Sequence, residues 1–214
     1  MRNPWEEISL SDYEQHMSLD SVRQLQAMNQ IMKRQFNDYN VDSAMILGVA
    51  GGNGLEHVNP EKYRVVYGVD INENYLHTVN ERFAHLGKTL QCLHLNIAEA
   101  AGRLPHAGLV IANLLIEYIG YEAFTRAITA IEPQYVSCVI QINTDANAWV
   151  SESPYLHAFD KLDEIHHQMS ENELDSAMLG IDYKKILQTT DCLPNGKQLV
   201  RIDFLNSSLS QKTV

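Results

Sequence analysis

Cysteine is scarce in this 214-residue chain: Cys92, Cys138 and Cys192 stand far apart, with no Cys-x-x-Cys and no Cys/His ligand spacing. A scattered, odd-numbered set excludes a disulfide framework or zinc module and predicts a reduced, cytoplasmic setting, with the thiols as small core residues. Long hydrophobic runs are also missing. No stretch approaches 18 apolar residues, so no membrane-spanning helix is predicted, and the polar start Met1-Arg2-Asn3-Pro4-Trp5 predicts no secretory leader. Basic charge is short: 16 Lys+Arg face 27 Asp+Glu, a formal net charge of -11. The pairs Lys33-Arg34 and Lys184-Lys185 are isolated, which argues against nucleic-acid binding and suits small neutral or cationic partners. His166-His167, with Asp163, Glu164 and Glu171 nearby in sequence, comes nearest to a metal cluster. Adjacent histidines point to different sides of a helix, however, so the pair reads as a solvated helix end and no metal is expected.

What is present is ordinary for one globular domain: 45% hydrophobic and 20% charged residues. Residues 1–40 are polar and helical in character. Ser18-Leu19-Asp20 offers N-cap chemistry, and Val22, Leu25, Met28, Ile31, Met32 and Phe36 recur at spacings mostly of three and four, as on an amphipathic helix. From Ala44 the pattern changes to short apolar runs, 44–49, 64–69, 90–95, 109–113 and 135–142, as expected of buried parallel strands. Helical stretches over about 53–58, 72–86, 97–102 and 119–131 alternate with them, which predicts βαβ units and a doubly wound parallel sheet. In the last third, 155–165 and 171–178 read as helices. Two strands, 182–190 and 197–204, flank Leu193-Pro194-Asn195-Gly196, a turn signal that predicts an antiparallel hairpin at the sheet edge.

The informative segment is Ile46-Leu47-Gly48-Val49-Ala50-Gly51-Gly52-Asn53-Gly54-Leu55, a strand running through four glycines toward a helix. Glycines there allow a sharp turn and close approach of a ligand to the main chain. The Gly-Lys-Ser/Thr ending of a phosphate-binding loop is missing. From Gly48, a G-x-G-x-x-G dinucleotide fingerprint meets Ala50 and Asn53 where it needs glycines. Asp70 ends the second apolar run, fewer than twenty residues after the last glycine, where a carboxylate can accept both hydroxyls of a ribose. The alternative is an acid that merely opens the next helix through Asp70-Ile71-Asn72.

The segments 47–54, 67–72 (Tyr-Gly-Val-Asp-Ile-Asn), 93–98 (Leu-His-Leu-Asn-Ile-Ala) and 109–115 (Leu-Val-Ile-Ala-Asn-Leu-Leu) resemble, in order, motifs I to IV of class I S-adenosylmethionine-dependent methyltransferases. The resemblance covers about 44–206 and implies a seven-stranded, mostly parallel α/β sheet closed by an antiparallel C-terminal hairpin. It implies residues 1–40 as a helical lid, 41–206 as the cofactor domain and 207–214 as a tail. Its cofactor would be S-adenosylmethionine, leaving as S-adenosylhomocysteine. Gly48, Ala50 and Gly52 would line the methionine part, with Val49 and Asn53 also at the cofactor, Asp70 would hold the ribose, and Ile71 would lie beside the adenine. Asn96 would meet the adenine amino group, with Ile97 flanking the ring and Asn113 near the sulfonium. Tyr13 and Met17 would reach the cofactor from the lid.

Ile46, Ala50 and Gly108 stand where that family usually has an acid, its middle glycine and a second acid. These departures keep open a non-catalytic S-adenosylmethionine binder of regulatory role, and the sheet type alone would host a nucleotide-dependent oxidoreductase. Methyl transfer by in-line displacement needs alignment and water exclusion more than a triad, and a general base only for a protonated acceptor. His16, Glu117 and Tyr118 are the catalytic candidates. Asn113-Leu114-Leu115-Ile116 replaces the Asn/Asp-Pro-Pro-aromatic signature of base and glutamine methylation, so a small-molecule acceptor is expected. The acceptor atom, the use of a base and the oligomeric state stay open.

Overall fold

A computed structural model defines residues 3–143, 150 and 153–208; the last six residues of the expected tail, 209–214, lie outside the described residues. Seven strands, β1 (Ser43–Leu47), β2 (Val65–Asp70), β3 (Leu90–His94), β4 (Leu109–Asn113), β5 (Tyr135–Ile142), β6 (Tyr183–Cys192) and β7 (Gln198–Asn206), form one sheet. Its order is β3-β2-β1-β4-β5-β7-β6, with β1 to β5 parallel and β7 antiparallel to both neighbours. The expected edge hairpin is therefore β6–β7, with β6 outermost. Strand order reverses between β1 and β4, and in open α/β sheets ligands bind at such a reversal, beyond the strands' carboxyl ends.

The helices are α1 (Leu10–Ser18), α2 (Gln24–Asp38), α3 (Glu73–Arg82), α4 (Ile97–Ala100), α5 (Ile116–Ile131) and α6 (Glu171–Leu179). Alternation along the strands sorts their residues between two faces. Ala44, Ile46, Ile111 and Val139 join Met28, Ile31, Met32 and Phe36 of α2 and Val79 of α3 on one face. Met45, Leu47, Val110 and Ala112 meet Phe124, Ala127, Ile128 and Ile131 of α5 and Leu174 of α6 on the other. That 124/127/128/131 spacing is one helical stripe, each large member contributing about 1.5–3 kcal/mol by burial. On β7, Val200, Ile202 and Phe204 take the α5 face, which leaves Arg201 and Asp203 on the α2 face.

Four local expectations differ. Ser18 does not start a helix but ends α1, which Ser9 caps by accepting the Asp12 N–H at 3.3 Å. The next helix begins only at Gln24, after Arg23 in the left-handed region (φ 52). Val22 is fully buried inside this turn, so the apolar spacing runs on across a break in the backbone. The stretch 72–86 ends as α3 at Arg82 and continues as 3-10 turns to Thr89, and 155–165 is 3-10 over Leu156–Glu164. The short helix at 53–58 is one 3-10 turn, Leu55–His57.

Candidate functional site

The carboxyl ends of β1, β2 and β4 open into a cleft of about 1150 Å³, its mouth included. Its two walls differ in chemistry.

At the first wall the β1 loop leaves the sheet through Gly48 (φ 74), whose N–H, like that of Val49, donates to Val69 O. Ala50 follows at φ 46, a left-handed conformation that costs a residue with a Cβ. Asp70 holds it there: Oδ2 accepts the Ala50 N–H at 2.8 Å, and Oδ1 accepts the Asn72 N–H at 2.9 Å. Asp70 is 7% exposed, and burial pushes its carboxyl up while those N–H groups pull it back. The two oxygens offer about four lone-pair sites, so these N–H groups and that of Ile71 leave acceptor capacity unused. Capping of α3 falls instead to Asn72, whose side chain accepts the Asn74 and Tyr75 N–H groups. Ile71, Leu95 and Ile97 supply apolar surface beside Asp70, and Asn96, which N-caps α4 by accepting the Ala98 N–H, supplies an amide.

Helix α1 lies against this wall. Glu14 of α1 pairs with Arg82, which also donates to Gly51 O at 3.1 Å, so helix and glycine loop are tied through one guanidinium. A Cβ on Gly51 would stand 2.3 Å from the Glu14 carboxylate. Tyr13 and Met17 face the cleft from α1, and Tyr75 donates to Ile8 O at 2.9 Å from below.

The second wall is aromatic. Trp5 meets Tyr118 edge-on at 4.9 Å and Tyr13 at 5.9 Å, Tyr118 meets His166 at 5.9 Å, and His16 leans on Phe159 at 4.8 Å. Glu117 lies among these elements, on the first turn of α5. Gly120 (φ 73, ψ 164) breaks the helix just beyond, so that turn takes its own direction into the cleft. Glu117 is 5% exposed, and its Oε2 has no hydrogen-bond partner among the described residues. Burial pushes this carboxyl up to about 8, against a hydrogen bond within its own residue. A lone buried carboxylate is costly, so the side chain rests as a neutral acid until a cation or donor joins it.

Three nitrogen bases share the cleft. Lys197, 7% exposed on the β6–β7 turn, is lowered to about 8 by burial. His16, which shares a 2.6 Å hydrogen bond with Ser153 Oγ, is lowered by burial and then by Lys197. His166 is lowered by burial first and by His167 next.

Behind β4 a polar chain fixes Asn113. Its amide exchanges two hydrogen bonds with Gln35, each 2.9 Å. Gln35 also donates to Ser137 Oγ, which donates to Asp203 Oδ1 at 2.5 Å. Asp203 holds Arg201 through both carboxylate oxygens and accepts from Tyr39, while Arg201 also pairs with Asp38 at 2.8 Å.

Of the residues expected at the cofactor, Gly48, Ala50, Asp70, Ile71, Asn96, Ile97, Asn113, Tyr13 and Met17 line this cleft. Val49 and Asn53 line a smaller pocket beside it, and Asn53 serves the scaffold by donating to Leu25 O. Gly52 faces the core, where a Cβ would stand 2.6 Å from Phe83. The catalytic candidates His16, Glu117 and Tyr118 converge on the same cleft. His166, read as solvated, instead lines the cleft half-buried, while its neighbour His167 is exposed as expected. Trp5, Gln24, Phe159 and Lys197 were not anticipated. A lysine next to an Asn-Gly turn carries no sequence signal, because such turns are ordinarily solvated.

No protein-family model and no curated protein matches the sequence. Solved structures do match the fold. Geranyl diphosphate C-methyltransferase from Streptomyces coelicolor A3(2), in complex with Mg2+, geranyl diphosphate and S-adenosyl-L-homocysteine, aligns with TM-score 0.66 and 12% identity over 86% of this chain and 81% of its own. The N-methyltransferase NodS from Bradyrhizobium japonicum WM9, in complex with S-adenosyl-l-homocysteine, aligns with TM-score 0.64 and 11% identity over 96% and 99%. Magnesium protoporphyrin IX methyltransferase from Synechocystis PCC 6803, with bound SAM, gives TM-score 0.57 and 9% identity over 86% and 78%. The chain has the class I methyltransferase fold.

Proposed function

We propose that the protein is an S-adenosylmethionine-dependent methyltransferase acting on a small-molecule acceptor. The observation that carries the reading is Asp70: a buried carboxylate at the end of β2 that holds the glycine loop through the Ala50 N–H, accepts the Asn72 N–H with its other oxygen, and lines the cleft. These residues fit a nucleoside. Asp70 would take its ribose hydroxyls, Ile71 and Ile97 its base, and Asn96 the base's polar edge, while Gly48 and Ala50 would receive the amino-acid end. Asn113, held rigid by Gln35, lies between that slot and the aromatic wall. When bound, the cofactor supplies an activated methyl group on a sulfonium.

The chain's own contribution is alignment and dryness. Trp5, Tyr13 and Phe159 close the acceptor side against water, and residues 1–40 serve as the lid, tied down by Glu14 and Arg82. Glu117, the buried acid nearest the acceptor wall, is the group suited to hold a proton in transit. The acidic balance of the chain and the apolar second wall both favour a small acceptor over a nucleic acid.

Calorimetric titration with S-adenosylhomocysteine tests this reading. The native protein binds, and Asp70→Ala loses about tenfold or more, ~1.4 kcal/mol, as expected when a charged hydrogen-bond acceptor is removed. No binding by the native protein sinks the assignment. Binding without methyl transfer to any acceptor favours the regulatory reading.

A further inference from the structure

Three features of the acceptor wall remain without a purpose in cofactor binding. Glu117 is buried, with Oε2 unpartnered among the described residues. Trp5 meets both Tyr13 and Tyr118 edge-on in the same wall. Gly120 turns that segment of α5 toward the cleft at the cost of helix continuity. A buried acid with no partner is destabilising, and it persists where a ligand supplies the missing group. Ring faces attract cations, and a carboxylate among them completes a site for a positive nitrogen.

We infer that the acceptor is a small organic amine, bound as its ammonium ion by Glu117 between the rings of Trp5, Tyr13 and Tyr118. This deepens the methyltransferase reading and rests on it for the transfer step. As the ammonium binds, Glu117 gives its resting proton to solvent; the ammonium N–H then gives one proton to the carboxylate Oε2, leaving a neutral amine with a free lone pair. That lone pair forms the new N–C bond to the methyl group as the C–S bond breaks, and the bonding pair stays on sulfur. The product leaves as a methylammonium ion and Glu117 is again the neutral acid, so the one proton released per turnover is the one displaced on binding.

The surroundings agree with this course. Tyr13, Tyr118 and Tyr121 are the titratable groups whose ionisation feels the Glu117 charge. The cleft's other bases, Lys197, His16 and His166, are all shifted toward their neutral forms by burial. A net charge of -11 draws cations rather than anions to the mouth.

The test uses the full chain and three probes of one shape: benzylammonium, benzyl alcohol and benzoate. Each is titrated calorimetrically into native protein and Glu117→Gln, with and without S-adenosylhomocysteine. The native protein is expected to bind the ammonium at least about tenfold more tightly than the alcohol, and Glu117→Gln to reduce that preference to about unity. Equal binding of ammonium and alcohol, preference for benzoate, or a preference that survives in Glu117→Gln overturns the inference. Urea unfolding at about pH 6, where both side chains are neutral, confirms that the variant is folded. Because the ammonium preference is read without cofactor as well, failure of S-adenosylhomocysteine to bind would sink the methyltransferase reading while leaving the amine site separately decided.

Discussion

Asp203 and Glu117 are both buried acids, 0% and 5% exposed, and their surroundings are opposite. Asp203 receives Arg201 through two hydrogen bonds, Ser137 and Tyr39 through one each, and Arg201 reaches on to Asp38. Every charge there has its counter-charge, and the network braces β5, β7 and the end of α2 behind Asn113. Glu117 has a bare oxygen in a cleft. One region is complete as folded; the other is complete only with something in it. Buried charge that serves the fold brings its partners along, whereas buried charge kept for a ligand is left without them.

The comparison breaks most visibly at Asp203. Asp203→Ala takes two hydrogen bonds from the buried Arg201 guanidinium, leaving it only Asp38, and should lower stability by about 3 kcal/mol, read as a fall in the urea midpoint at unchanged m-value. A loss under about 1 kcal/mol would mean that the network is not what braces the sheet.

Glu117→Gln should act with the other sign, and with pH. The folded carboxyl sits near 8 against an ordinary 4.5, so the folded chain holds a proton that the unfolded chain has released between those values. The associated stability is present below the lower value and is lost as pH rises through the upper one. From about pH 5 to about pH 9 the stability of Glu117→Gln should therefore rise relative to native by on the order of 3 kcal/mol. A pH-independent difference would show that the carboxyl finds water or a partner.

The smallest effect belongs to the half-exposed Glu14–Arg82 pair. Glu14→Gln should cost about 0.5 kcal/mol, since such pairs contribute little. Its consequence should be local: faster amide exchange in α1, with the β1 and β4 amides unchanged. Unchanged exchange in α1 would free the lid from any dependence on this contact.

Much of this was legible in the chain. Parallel strands buried on both faces read as unbroken apolar runs, so β1, β4 and β5 stand out, and Asn195-Gly196 marks the hairpin. Glycines 48 to 54 and Asp70 stand out because a tight loop and a terminal acid are demands on single residues at short range. The helix breaks at Arg23 and Gly120 were not legible. Apolar spacing reports which side chains are buried, not whether the backbone between them is continuous, and Val22 keeps the pattern while sitting in a turn.

The second wall of the cleft was the least visible part. Trp5, Glu117, Phe159, His166 and Lys197 come from four separate segments and meet only when the β6–β7 hairpin, the N-terminal turns and the 156–166 segment fold over the sheet. Local pattern therefore determined the fold class and the loop with its acid, because periodicity, glycine and a strand-end carboxylate act within a few residues. Tertiary structure alone decided that Asp203 is paired and Glu117 is not, because desolvation and partnership depend on which distant segments close around a group.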